Sequence, residues 1–318
     1  MNEEHVVTPT EPDDWLSIPE RGGAFGIYFL AWTATRAGRW VPRLMLGPIA
    51  AYYYLMSGTS RRAITEFYQR LNGSRPRRRD VFRNIHRFSQ VALDRVFFFV
   101  GKTSAFEFKR TGSHHLAEQS AKGTGGVLIG AHLGSFAAMS GAGETKNYRI
   151  NAVMYNANSK VLNSVLQRFG GKDAIRTIDI STDRVSAVLT MKKRIEEGEF
   201  VALLADRVVP GSQSSRVDFL GGSAKISTGG FVLASVLKCP VFLVFGLYRG
   251  GNKYDVYCEP FEELIRLPRG KEKQEVLDQL AQKYADRLAY YAAKAPDNWF
   301  NFYSFWEPDT TGTLEGEK

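Results

Sequence analysis

Cysteine is nearly absent: Cys239 and Cys258 are the two in 318 residues. That excludes a disulfide-stapled scaffold and a cysteine-rich metal site. The five histidines, His5, His86, His114, His115 and His132, are too scattered for a histidine-rich zinc site, so no metal is expected. No run of about 18 uncharged apolar residues occurs, and mean hydropathy is −0.25. A polytopic membrane protein is therefore excluded. No internal repeat, low-complexity tract or basic-then-apolar leader is visible, so a cleaved export signal is not expected. What remains is ordinary globular material, 44% apolar, 13% aromatic and 24% charged, enough to bury a core and to exclude a wholly disordered chain.

Charge is unevenly placed. Residues 1–20 hold six acids and no Lys or Arg, whereas residues 21–110 hold 17 basic residues against 4 acidic ones. The rest is nearly balanced, so the net charge of +9 belongs to one N-terminal block. The same block holds two uncharged runs, residues 24–35 and 44–60, separated by Arg36, Arg39 and Arg43 and followed by Arg61 and Arg62. Trp32, Trp40 and Tyr52 to Tyr54 are side chains suited to a lipid headgroup boundary. Each run is short for a spanning helix, and Pro48 is expected to kink or end one. The pattern predicts an interfacial or shallowly inserted helical hairpin, its arginines facing anionic lipid on the cytoplasmic side of a membrane. An ordinary buried helix pair with arginines on its wet face reads the same stretch differently. Nucleic acid is a weaker alternative, suggested by Arg75, Arg77, Arg78, Arg79, Arg83 and Arg87. No recognition motif accompanies that cluster, and no nucleic-acid partner is expected.

Gly73 and Pro76 punctuate the block, and residues 80–100 read as a further helix. From about residue 105, short apolar runs alternate with helical stretches. Strands are predicted at 126–131, 151–155, 177–180, 200–205, 241–247 and 254–258. Helices are predicted at 135–143, 159–169, 182–197, 229–237 and 271–293, with Thr182 or Ser181 capping the third. The alternation argues an α/β domain with a central mixed, largely parallel sheet flanked by helices. The expected organisation is an acidic lead at 1–20, a basic apolar helical region at 21–100, a core at 101–306 and a polar tail at 307–318.

One stretch stands out chemically. A buried strand delivers His132 at its C-terminal end, and Leu133-Gly134-Ser135 turns into a helix. Catalytic groups of α/β sheets gather at such strand ends. A neutral imidazole there can take a proton from a hydroxyl. Gly134 is expected to let substrate approach the backbone, and N–H groups at the helix start to stabilise an oxyanion. A structural histidine at a strand end is the plainer alternative.

Several pieces, in order, resemble the bacterial lipid A late acyltransferases of the wider lysophospholipid acyltransferase group. They are Trp15, Glu20-Arg21-Gly22, residues 58–62, the Gly-rich turn 122–126 leading to His132, residues 152–171, GEFVALLADRVVPGS at 198–212, and the VDFLGGSAKISTGG stretch that follows. The resemblance covers about residues 15–306. It implies an acyltransferase-like core behind a membrane-associating helical segment at the bacterial inner membrane. Acyl transfer would run from an acyl carrier protein, or coenzyme A, to a hydroxyl of a membrane glycolipid or related lipid. The thioester is a co-substrate, and neither cofactor nor metal is implied. The family motif is His, four residues, then Glu or Asp, with the histidine as base and the acid orienting it.

The chain departs from that motif, because Ala137 stands at the acid position. Three explanations are open: a Glu→Ala change in a working site, a homologue that only binds lipid or carrier, or an acid supplied elsewhere. The first is favoured because the surrounding pattern is intact, and it predicts an inactivated or weakened chain. Glu144, two helical turns beyond Ala137, lies about 10 Å further along the axis. If transfer proceeds regardless, Glu144 and Asp206 are the acids to examine. The resemblance also marks Arg168, Asp206 and Arg207 as substrate-binding positions, and the residues themselves add Gly134 and Ser135 at the turn and Asn156 and Asn158 after the strand at 151–155, which either line the site or turn the chain. Arg168 reads equally as a helix C-terminal cation, and Asp206-Arg207 as a local surface ion pair.

Overall fold

The computed structural model describes residues 39–99, 101–142, 148–154, 176–180, 183–209 and 211–308. The expectations for the acidic lead, the apolar run 24–35, Glu144, Asn156, Asn158, the helix at 159–169 with Arg168, and the tail from 309 lie outside these residues.

Three helices come first: α1 (Trp40–Met56), α2 (Gly58–Asn72) and α3 (Arg78–Phe99). Helix α1 passes through Pro48 without ending there. The chain turns instead at Ser57, whose hydroxyl accepts the Ser60 N–H and caps α2. Gly73, at φ 67°, ends α2 as the sequence suggests. Helix α2 buries Ala63, Ile64, Phe67 and Tyr68, so it is a core helix, while the first half of the expected hairpin lies outside the described residues. Two of the arginines, Arg39 and Arg43, depart from expectation. Arg39 Nε donates to buried Asp94 at 2.6 Å, and Arg43 Nη2 donates to the Tyr248 hydroxyl at 2.8 Å. Both face the protein rather than lipid.

The remaining elements are β1 (Glu107–Thr111), α4 (His114–Ala121), β2 (Gly126–Gly130), α5 (Ala137–Ala142), β3 (Ile150–Met154) and β4 (Arg176–Asp179). Then follow α6 (Arg184–Glu196), β5 (Phe200–Leu204), β6 (Ser214–Asp218), β7 (Ser223–Ser227), α7 (Gly229–Leu237), β8 (Val241–Gly250), β9 (Lys253–Glu262) and α8 (Glu272–Lys294). Helix α6 is capped by Asp183, not by Thr182 or Ser181; its carboxylate accepts the N–H groups of Val185 and Ser186.

Seven strands form one sheet in the order β1-β9-β8-β2-β5-β3-β4, with every pair parallel except β8–β9. The fold is thus mixed α/β around a largely parallel sheet. Strand β2 is buried along its whole length, as a central parallel strand must be when helices cover both faces. Its side chains alternate between two apolar layers. Val127 and Ile129 join the layer of α6, α7 and α8, and Leu128 joins the layer of α3, α4 and α5. The pair β6–β7 forms a separate antiparallel ribbon. No helix among the described residues is long and apolar enough to cross a membrane.

The turn after β2 is built on a close backbone approach. Gly134 has φ 68°, and a Cβ there would lie 2.2 Å from the Gly246 carbonyl oxygen. Gly134 therefore serves strand-to-turn packing instead of opening the backbone to substrate. Gly134→Ala combines left-handed strain with a main-chain clash and is expected to cost about 2 kcal/mol or more. Urea unfolding checks this; a loss under about 0.5 kcal/mol would show that the turn yields.

Candidate active site

Two strand ends meet at the sheet's centre. Gly130 of β2 is in register with Leu204 of β5, so the residues two further on, His132 and Asp206, lie side by side. The Ala205 N–H donates to the Gly130 carbonyl at 3.1 Å and carries the parallel pairing up to the site. His132 Nδ1 is 3.0 Å from Asp206 Oδ1, and the His132 backbone N–H donates to Oδ2 at 3.0 Å. Asn301 Nδ2 donates to the same Oδ2 at 2.8 Å. Asp206 is fully buried, while the His132 side chain keeps 25% of its surface exposed.

A carboxylate so placed accepts from three donors, which fixes its plane. Burial alone would raise its pKa, but His132, Arg207 and Asn301 outweigh burial and hold Asp206 below the usual carboxylate range. Asp206 is therefore ionised at neutral pH. Because it can only accept, Nδ1 carries the imidazole proton and Nε2 keeps its lone pair. Burial also depresses the His132 pKa below its ordinary value, against the opposing pull of Asp206. The product is a neutral imidazole with a basic Nε2 at neutral pH, the state a general base needs.

Arg207 reaches the C-terminal segment. Its Nε donates to Asn301 Oδ1 at 2.9 Å and its Nη2 to the Phe300 carbonyl at 3.2 Å. Its guanidinium sits 5.6 Å from the centre of the Tyr303 ring. Ser135 is buried, and its hydroxyl accepts the Ala138 N–H at 3.2 Å, so it caps the turn into α5. Several backbone donors of this turn are engaged: Gly134 N–H reaches the Asn298 carbonyl, Ser135 N–H the Gly246 carbonyl and Met139 N–H the Phe136 carbonyl. Ala137, at the start of α5, is 4% exposed and belongs to the apolar layer with Val91, Phe97 and Phe98.

Sequence reading missed the C-terminal segment. Residues 298–303 run past the site, where the Phe300 N–H donates to the His132 carbonyl at 2.9 Å and Leu133 bridges to Trp299. The available signal was a lone amide, Asn301, inside the aromatic run Trp299-Phe300-Asn301-Phe302-Tyr303.

A family model described as bacterial lipid A biosynthesis acyltransferase matches residues 81–307, a span that includes His132, Asp206 and Asn301. No curated protein matches the chain.

Proposed function

The chain belongs to the bacterial lipid A biosynthesis acyltransferase family, and from that membership we propose acyl transfer from a thioester on acyl carrier protein, or coenzyme A, to a hydroxyl of a membrane glycolipid or related lipid. The observation that carries the reading is the His132–Asp206 pair on adjacent parallel strand ends. In this reading His132 Nε2 takes the proton of the acceptor hydroxyl as its oxygen attacks the thioester carbonyl. Asp206 stabilises the imidazolium that forms. Collapse of the tetrahedral intermediate forms the ester and breaks the C–S bond, and the departing thiolate takes the proton from His132. The acyl group comes from the thioester and the base from the protein, so the step needs no metal or organic cofactor. Arg168 and Asn158 are retained as substrate-positioning side chains.

Asp206 serves as the orienting acid, and the residue at 137 need not. A second reading, a non-catalytic lipid- or carrier-binding protein on the same fold, rests on Ala137 departing from the family motif. Acyl transfer from a carrier-protein thioester to a bacterial lipid extract separates the two. Transfer by the wild-type chain that His132→Ala abolishes supports the enzyme; lipid retention without transfer supports the binder.

Attachment to the cytoplasmic face of the bacterial inner membrane is assigned to α1. Trp40, Leu44, Met45, Tyr52, Leu55 and Met56 are exposed, and Pro42, Leu46 and Ala50 are buried. At 100° per residue the exposed set occupies the half of the helix opposite the protein. Leu44 and Leu55 are 71% and 66% exposed, so replacing both by Glu leaves folding intact. Each buried leucine is worth about 1.5–3 kcal/mol. The double variant is expected to bind anionic-lipid vesicles about 100-fold more weakly in a co-sedimentation assay. Unchanged binding would remove α1 from the membrane contact.

A further inference from the structure

The reading of His132 and Asp206 as base and orienting acid leaves the buried amide beside them, Asn301, without a role. Asn301 is 1% exposed and lies between Asp206 and Arg207. Its amide orientation follows from its partners. A carboxylate only accepts and a guanidinium only donates, so Nδ2 must face Asp206 Oδ2 and Oδ1 must face Arg207 Nε, at 2.8 and 2.9 Å. The segment is pinned on the site side by Phe300 N–H to the His132 carbonyl. A side chain that donates on one side and accepts on the other keeps two opposite charges apart while satisfying both. Without it, the Arg207 guanidinium, whose charge already acts on Asp206, would be drawn to the carboxylate itself. A charge-assisted pair with guanidinium is stronger than a bond to neutral imidazole, and it would draw the carboxylate away from Nδ1.

The geometry points to Asn301 as a positioning residue that holds Asp206 on His132 by keeping Arg207 off it. This rests on the acyl-transfer reading for its consequence in catalysis, but not for its structural content. Asn301 never touches substrate; it acts through Asp206. Arg207, in turn, is held in a fixed place beside the base, attached to Asn301 and to the Phe300 carbonyl.

The test reads the His132 imidazole by NMR titration in the substrate-free full-length protein, its signal assigned by loss in His132→Ala. In Asn301→Ala, Arg207 captures Asp206, the imidazolium loses its counter-charge, and the His132 titration moves to lower pH. The transfer rate falls by about 10- to 100-fold, and the acidic limb of kcat/KM moves to lower pH with it. In the double variant Asn301→Ala with Arg207→Met, no guanidinium competes and the titration returns toward that of wild type. Asn301→Ser, which is uncharged and too short to reach both partners, keeps the test open if the alanine variant does not fold, and it moves the titration downward as well. A merely structural asparagine would lower stability and leave the titration in place in both neutral single variants, and that result overturns the proposal. If wild type lacks transfer while the titration shifts as described, the acyl-transfer reading fails and the positioning role stands.

Discussion

Asp206→Asn is expected to lower acyl transfer about 10⁴-fold, the scale of losing the orienting acid of a serine-protease triad. The substitution keeps shape and volume, so the loss isolates hydrogen bonding and charge. Asp206 accepts from the His132 backbone N–H, from His132 Nδ1 and from Asn301 Nδ2. An asparagine at that place offers one accepting oxygen and an amide nitrogen that must face a donor. The least costly relief is for the amide to donate to Nδ1, which shifts the imidazole proton to Nε2. His132 would then present a proton where it must accept one. The imidazolium of the transition state would lose its counter-charge as well. The unmet donors cost about 1–3 kcal/mol of stability, so the variant should fold, and a urea titration beside the rate measurement separates the two effects. A loss of less than about tenfold in kcat/KM, with the fold intact, would remove Asp206 from the reaction.

The pairing behind that prediction was only half legible in the sequence. The apolar runs at β2 and β5 are plain, and both His132 and Asp206 stand out as strand-end residues. What joins them is the strand order β8-β2-β5, a non-local fact that no local pattern encodes. The family motif turns attention to an acid five residues from His132, whereas Asp206 is 74 residues away. Asn301 is a further 95 residues from Asp206 and carries no local mark beyond polarity among aromatics. The missed strands fail for a different reason. Edge strand β1, Glu107–Thr111, is charged and largely exposed, so it lacks the apolar signature of its partners. The ribbon β6–β7 alternates buried and exposed residues over five positions each, too short a run to stand out from a Gly-rich loop. Arg39 and Arg43 were legible as charges beside an apolar helix, but their partners, Asp94 and Tyr248, come from elements 55 and 205 residues further on.

Ala137→Glu is expected to destabilise the protein by about 4 kcal/mol at neutral pH and to leave transfer no faster than in the unaltered chain. Ala137 is 4% exposed, in the apolar layer of α3 and α5. Desolvation raises the pKa of a buried carboxyl by roughly 3–5 units, each worth about 1.36 kcal/mol. The extra volume adds strain in a packed layer. The sign of the pH dependence follows from that raised pKa. Below the unfolded-state value of about 4.3 the glutamate is protonated in both states and the electrostatic loss vanishes; it grows as pH rises above that value. Thermal unfolding at pH 4 and pH 7 therefore separates the charge penalty, which depends on pH, from the packing penalty, which does not. The introduced acid brings no catalytic gain because His132 Nδ1 already faces a carboxylate whose three donors fix its position. A tenfold or larger gain in transfer with unchanged stability would reverse the assignment. It would place the orienting acid at position 137, leave Asp206 as a structural anchor of the strand end, and mark Ala137 as a lesion in the site.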